Sequence, residues 1–228
     1  MHTNKIIVIV FLILGFSKFN LKAQQSNEFS YGQNSILYNG ELYNYSISNR
    51  VKGHQYFKIR DFKEGSITIK NKRFERVLLN YDIHKQQILL KFMFNGVDKI
   101  ISIPKEIVKE FSFNNNYFMV LNQGWDFKIY EVIGSGEVKI LRYWEKDFKI
   151  SSGSEASDYI FTNATKTNFL LKDKQLVRLQ SKRIFLKQFQ ESNQPKISKF
   201  MRTNRIYLKK AMYSDLNELI KFCNSLEN

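Results

Sequence analysis

The sequence is poor in cysteine, proline and histidine, and each scarcity excludes a class of protein. A single cysteine, Cys223, has no partner for an intrachain disulfide, so packing alone must hold the fold. Two prolines, Pro104 and Pro195, with no stretch rich in Ser, Thr and Pro, give no sign of a flexible linker. None of the three histidines has a His-Glu-x-x-His spacing, which argues against a zinc hydrolase.

A long hydrophobic run is also missing. Residues 6–16 form an apolar run of 11 residues, whereas a membrane-spanning helix needs about 20. This run follows Lys5 and precedes a polar stretch that ends at Ala23, which is the layout of a secretory signal peptide over residues 1–23. We therefore expect cleavage after Ala23 and an exported protein without a transmembrane span, either periplasmic, associated with the outer membrane or extracellular. An uncleaved anchor is the alternative.

Acidic residues are scarce in one part of a basic chain. The formal net charge is +15, and residues 172–210 contain only Asp173 and Glu191 as acids. Nine Lys and Arg residues of this segment are candidates for anion binding: Lys182, Arg183, Lys187, Lys196, Lys199, Arg202, Arg205, Lys209 and Lys210.

Two interpretations of the basic segment remain open. It is a solvated face whose lysines reflect an AT-rich genome, or it is a surface that faces an anion. For an exported protein the expected partners are anionic envelope lipid, a glycan or an envelope protein. Nucleic acid is not expected, because neither an RNA-binding signature nor a zinc-finger spacing is present and because an exported location does not fit a nucleic-acid partner.

Alternation of apolar and polar residues predicts a mainly β (α+β) fold. Residues 36–38, 54–60, 66–70, 74–81, 86–94 and 97–103 read as strands in the first half, with Asn95-Gly96 and Asn71-Lys72 as turns. A short helix is predicted over residues 105–111. Further strands follow between residues 117 and 179. About ten strands with short links predict a curled or two-layer antiparallel sheet.

The periodicity changes to that of helices near residue 181, which predicts a short helical segment at the carboxyl end. Ser181 and Ser214 are predicted caps, and Pro195 is a predicted helix start. The predicted organisation is a signal peptide at 1–23, a loosely ordered lead-in at 24–53, a β domain at 54–180, and helices at 181–228 that pack on the β domain.

No catalytic constellation is visible, and neither a cofactor nor a metal site is predicted. His54 is expected to begin a strand, and His84 is expected to face solvent in a turn. Gly134-Ser135-Gly136 is too short for a phosphate loop and is read as a hairpin turn. Glu155 and Asp158 could pair as carboxylates for sugar chemistry, although acids in a polar loop are usually solvated. Three aromatic residues are candidates for a stacking platform: Trp125, Tyr143 and Trp144.

Two segments of the chain resemble a group of exported, uncharacterised proteins of Bacteroidetes-type bacteria. They are the block FERVLLNYDIHKQQILL at 74–90 and the helical end ISKFMRTNRIYLKKAMYSDLNELIKFCNSL at 197–226. The resemblance implies export and a β-rich body before a short basic helical tail. It implies no activity.

The sequence therefore favours a non-enzymatic binding or scaffolding protein of the envelope that contacts anionic lipid or glycan through its basic face. The alternative is a secreted hydrolase or inhibitor, whose site would form from acids and aromatics that are distant in the sequence.

Overall fold

The computed structural model describes residues 34–44, 51–150 and 159–227. Within them the chain is mainly β, as predicted, with three helices near the carboxyl end. The predicted signal peptide and the loop that contains Glu155 and Asp158 lie outside these residues. The strands are β1 (Glu41–Leu42), β2 (Lys63–Ile69), β3 (Lys72–Asp82), β4 (Gln87–Phe94), β5 (Val97–Ile103), β6 (Val108–Phe113), β7 (Asn116–Asn122), β8 (Phe127–Ile133), β9 (Lys139–Glu145), β10 (Phe148–Ile150), β11 (Tyr159–Phe161), β12 (Thr165–Lys172) and β13 (Gln175–Arg178).

Eleven of these strands form one open antiparallel sheet in the order β1-β5-β4-β3-β2-β6-β7-β8-β9-β12-β13. The chain first runs outward from β2 to β5. A 3₁₀ turn at Lys105–Ile107 then returns it to the other side of β2, where β6 to β9 continue as a meander. Strands β10 and β11 form a separate two-stranded hairpin between β9 and β12.

The sheet is strongly curled. Gln86, in the turn between β3 and β4, donates from Nε2 to the backbone carbonyl of Trp144 on β9 across 2.8 Å, although these strands are far apart in the sheet order. The concave face is filled by aromatic side chains, with Phe57, Tyr81 and Phe118 almost fully buried. Because each ring removes a large apolar area from water, this cluster stabilises the β body together with the aliphatic side chains around it.

The hairpins close with residues that tolerate a left-handed backbone. Both central residues have positive φ at Lys70-Asn71, Asn95-Gly96, Asn114-Asn115 and Asp173-Lys174. Such turns match the right-handed twist of the strands that they join. The Asn95-Gly96 turn is confirmed, whereas the turn predicted at Asn71-Lys72 lies one residue earlier.

Three local predictions for the first half of the chain are wrong. Residues 36–38 belong to a turn, since the backbone N–H groups of Leu37 and Tyr38 both donate to the carbonyl of Asn34. Residues 54–60 form bends with one isolated bridge, because the chain turns there to insert Phe57 into the core and Lys58 takes a φ of 56°. The helix predicted over 105–111 is limited to its first turn, since Val108, Phe111 and Phe113 are buried on β6.

The three helices are α1 (Lys182–Leu186), α2 (Gln194–Thr203) and α3 (Tyr213–Glu227). The Ser181 cap is confirmed, because its hydroxyl accepts from the Ile184 N–H at 3.2 Å, but α1 ends well before residue 190. Helix α3 begins one residue before Ser214, and the N–H of Met212 donates to the Asp215 carboxylate. The apolar faces of the helices cover one end of the sheet.

Helix α3 is seated closely on the sheet. Its side chains Leu216, Leu219, Ile220 and Cys223 are fully buried against residues of β8, β9 and β12. Cys223 is the small buried side chain that the sequence predicts, and burial raises the pKa of its thiol to about 12. Asn224 donates from Nδ2 to the carbonyls of Ser135 and Val138, which ties the helix to the turn between β8 and β9.

We predict that Gly134→Ala destabilises this junction. A Cβ at Gly134 would lie 2.4 Å from Cγ2 of Ile220, on a residue with a φ of +88°. Gly124→Ala is the matched control, because its φ is +83° and its Cβ would meet no described atom within 4 Å. Both variants strain the backbone equally, so we expect Gly134→Ala to lose about 1–3 kcal/mol more than Gly124→Ala from overpacking. Urea denaturation measures both; equal losses would contradict the packing of α3 on this turn.

Candidate functional site

A groove of about 630 Å³ lies between α1, the end of α2 and the segment that follows α2. We call it the cationic groove. Its floor is apolar, because Met201, Ile206 and Leu208 line it and are almost fully buried. Its rim carries five of the nine predicted anion-binding residues: Lys182, Arg202, Arg205, Lys209 and Lys210.

The shape of the groove follows from the way α2 ends. The N–H of Ile206 donates to the carbonyl of Met201 at 2.8 Å, and that of Arg205 donates to the carbonyl of Arg202 at 3.2 Å. Arg205 has a φ of 52°. Together these features form a Schellman motif, in which the residue after the left-handed position folds back on the last turn of the helix. Ile206 is therefore turned inward beside Met201, while Arg205 stays at the surface.

The cations of the rim lack acidic partners. Among the residues that the structure describes, no carboxylate forms an ion pair with Arg202, Arg205, Lys209 or Lys210. Lys182 donates to the carbonyl of Ser198 at 3.1 Å. Low-dielectric walls beside unpaired positive charges concentrate the positive potential, so the groove attracts anions.

The other four predicted cations are exposed but do not line the groove. Arg183 and Lys187 belong to α1 and its carboxyl end, and Lys196 and Lys199 lie on α2. The predicted set is thus divided between the groove and the surrounding helix surface.

Two further cations lie outside the nine predicted residues, although Arg178 belongs to the basic segment 172–210. Lys166 and Arg178 line a second depression of about 470 Å³, which shares Gln180 and Lys209 with the cationic groove. Lys166 precedes the basic segment and lies on a strand, so only the pairing of β12 with its neighbours brings it to this place. Burial, and then the nearby Arg142, lower the pKa of the Lys166 ammonium.

A buried polar row supports the groove from below. Glu131, Arg142 and Asn168 face one another on β8, β9 and β12 as direct register partners. Arg142 donates from Nε to Oδ1 of Asn168 at 2.9 Å, and its Nη1 lies 3.7 Å from Oε2 of Glu131. Asn168 in turn donates from Nδ2 to the carbonyl of Leu208 at 3.0 Å. The row therefore fixes the position of the groove floor.

The row also holds charge inside the protein. Glu131 and Arg142 are 1% and 3% exposed, and burial lowers the pKa of the Arg142 guanidinium. Trp144 donates from Nε1 to Oε2 of Glu131 at 2.9 Å, and Lys58 Nζ lies 3.5 Å from Oε1. Neither Oε1 of Glu131 nor Nη2 of Arg142 has a hydrogen-bond partner among the described residues.

The three candidate stacking residues are not brought to one surface. Tyr143 and Trp144 are neighbours on β9, so their side chains point to opposite faces of the sheet. Trp144 packs against Phe57 with ring centroids 5.6 Å apart, and Tyr143 packs against Tyr130. Trp125 is fully exposed in the turn between β7 and β8.

The histidines lie away from the groove. His84 was expected to face solvent, but it is half-buried, with Nδ1 2.9 Å from the carbonyl oxygen of Lys146 and its ring against Phe161. Burial is the main cause that lowers the pKa of His54. Within the described ranges, no group of three His, Cys, Asp or Glu side chains could hold a metal ion.

Comparisons with family models, with curated proteins and with solved structures find no match to this chain. Among the helices that the structure describes, none has both the length and the apolar character needed to cross a membrane.

We predict that Glu131→Gln strongly destabilises the protein, because it leaves the buried Arg142 without its counter-charge. The expected loss is about 3–5 kcal/mol in the free energy of unfolding. Asp98→Asn is the control, since Asp98 pairs with Lys91 at 2.7 Å on the surface, and exposed pairs contribute about 0–1 kcal/mol. Denaturant unfolding compares the two, and similar small losses would mean that the buried row does not organise the fold.

Proposed function

We propose that this chain is an exported envelope protein that binds an anionic ligand without catalysing a reaction. The single observation that carries the proposal is the cationic groove, where five cations surround an apolar floor and no carboxylate of the described residues forms an ion pair with any of them. Of the two interpretations of the basic segment, a merely solvated face would require no such convergence. Anionic envelope lipid is the favoured ligand, because an apolar floor offers nothing specific to a hydrated glycan.

The proposed location of the protein outside the cytoplasm depends on residues 1–23. Their charged start, short apolar run and polar end favour export to the periplasm, the outer-membrane surface or the medium. At the membranes that bound the periplasm and at the outer-membrane surface, the abundant anions include lipid phosphates, which fits the charge of the groove.

Binding to lipid is expected to depend on charge and salt. Each Lys or Arg near an anionic leaflet contributes about 1 kcal/mol. Replacing both Lys209 and Lys210 by Gln should therefore weaken binding to vesicles of anionic phospholipid by about thirtyfold at low salt. Because surface charges are screened over about 8 Å at physiological ionic strength, the affinity of the unaltered protein should fall as salt is raised. Vesicle co-sedimentation measures both effects.

The matched control replaces Lys70 and Lys109 by Gln. Both lysines are exposed and lie at the β2–β3 turn and on β6, outside the basic segment, so the net charge changes equally. Binding that falls equally in both variants would show that total charge, and not the groove, attracts the vesicle. Binding that is absent or insensitive to salt would overturn the proposal.

Export has its own test. We expect the mature protein, expressed with its full leader in a Gram-negative host, to begin at Gln24. Intact-mass spectrometry of the periplasmic fraction checks this, and full-length protein that retains Met1 in the cytosolic fraction would contradict it.

A further inference from the structure

The cationic groove and the depression beside it differ in chemistry. The groove has the apolar floor of Met201, Ile206 and Leu208, with the exposed ring of Tyr207 at its side. The second depression is lined mainly by polar groups, among them Lys166, Thr167 and Arg178. Since Gln180 and Lys209 line both, the two depressions adjoin each other, and we call them together the concavity. Its groove has an apolar floor, and its second depression has a mainly polar lining. We call the second depression the polar depression.

The surroundings of Lys166 and Arg178 in the polar depression favour an anion. Lys166 is held near the carbonyl of Ala211, with its Nζ 3.4 Å from that oxygen. Arg178 ends the edge strand β13, and no carboxylate of the described chain pairs with it. The side-chain amide of the nearby Asn168 is already engaged at both of its polar atoms. Its Oδ1 accepts from Arg142, and its Nδ2 donates to the carbonyl of Leu208. The lining adds three cations to the neutral donors of Thr167 and Gln180, which favours a charged headgroup over a neutral sugar.

We infer that this concavity binds one single-chain amphiphile with a phosphate headgroup. The acyl or alkyl chain lies on the floor of the cationic groove, and the phosphate lies in the polar depression near Lys166, Arg178 and Lys209. This inference rests on the proposed function, because both require that the groove attracts anions. It goes further in making the protein a carrier of individual amphiphiles and not only a protein that adheres to a membrane surface.

The size and composition of the groove fit this occupant. A volume of about 630 Å³ lies within the range of about 300–1,000 Å³ that is usual for small-molecule sites. Burial of an alkyl chain is favourable in proportion to the area removed from water, while the rim cations compensate the phosphate. A ligand that lacks either part leaves half of the concavity unused.

The test is calorimetric titration of the mature protein with dodecyl phosphate below its critical micelle concentration. Butyl phosphate carries the same headgroup on a short chain, and dodecyl maltoside carries the same chain on a neutral headgroup. We expect dodecyl phosphate to bind at least about tenfold more tightly than either, a difference that corresponds to about 1.4 kcal/mol. Equal affinity for butyl phosphate would overturn the role of the floor, and equal affinity for the maltoside would overturn the role of the cations.

Two exposed positions locate the site. Gln180→Glu places a carboxylate where the two depressions meet and should weaken dodecyl phosphate binding by about tenfold or more. Gln190→Glu, an equal charge change at an exposed residue outside both linings, should leave the affinity unchanged.

Tyr207→Ala should weaken binding of dodecyl phosphate but not of butyl phosphate. Tyr159→Ala is its control on β11. Equal effects of a variant and its control would overturn the assignment.

The vesicle experiment and the titration separate the two proposals. Vesicle binding with no preference for dodecyl phosphate over butyl phosphate would retain the proposed function and overturn the carrier site. Tight dodecyl phosphate binding that is lost in Gln180→Glu, without any binding to vesicles, would support the carrier site and overturn attachment to the lipid surface.

Discussion

The Glu131–Arg142–Asn168 row is the interaction on which the two halves of the molecule depend. On one side Glu131 accepts from Trp144, whose ring packs on Phe57 at the centre of the curled sheet. On the other side Asn168 donates to Leu208 in the segment that forms the groove floor. Because a buried ion pair tolerates little change in geometry, the row sets the position of the helical segment relative to the sheet. The groove is thus built on the rigid body and not on a mobile appendage.

The curl of the sheet also serves to bury its apolar face. A long antiparallel sheet has at least one apolar face to cover, and this chain has few helical residues with which to cover it. Strands β2 to β8 solve the problem by wrapping around their own aromatic side chains, while the helices are used only at the β8–β9–β12 end. The excess of basic over acidic residues in segment 172–210 consequently lies at that end, since this segment runs from the end of β12 through α2 to the connection before α3. The uneven distribution of charge therefore follows from the position of the helices, which cover only this end of the core.

Much of the fold could be predicted from local pattern, because alternating residues and Asn-Gly turns act over short distances. The strand and turn around Asn95-Gly96 and the cap at Ser181 are examples. The pattern wrongly predicted a strand at residues 54–60, where the chain bends to place the ring of Phe57 in the core. For the candidate site, the basic residues of the rim could be named in advance. Their division could not, since the Schellman motif at Arg205 decides which of them meet. Lys166 and the polar row depend on strand register, which a single sequence does not specify.

The burial of Cys223 bears on the proposal that the chain is exported. An oxidising compartment couples exposed thiols into mixed disulfides and covalent dimers. Here the single thiol lies on the buried face of α3, fully shielded, and remains protonated well above neutral pH. The folded chain can therefore reside among oxidants without cross-linking to itself or to its neighbours. Its one thiol becomes available only when the last helix leaves the sheet.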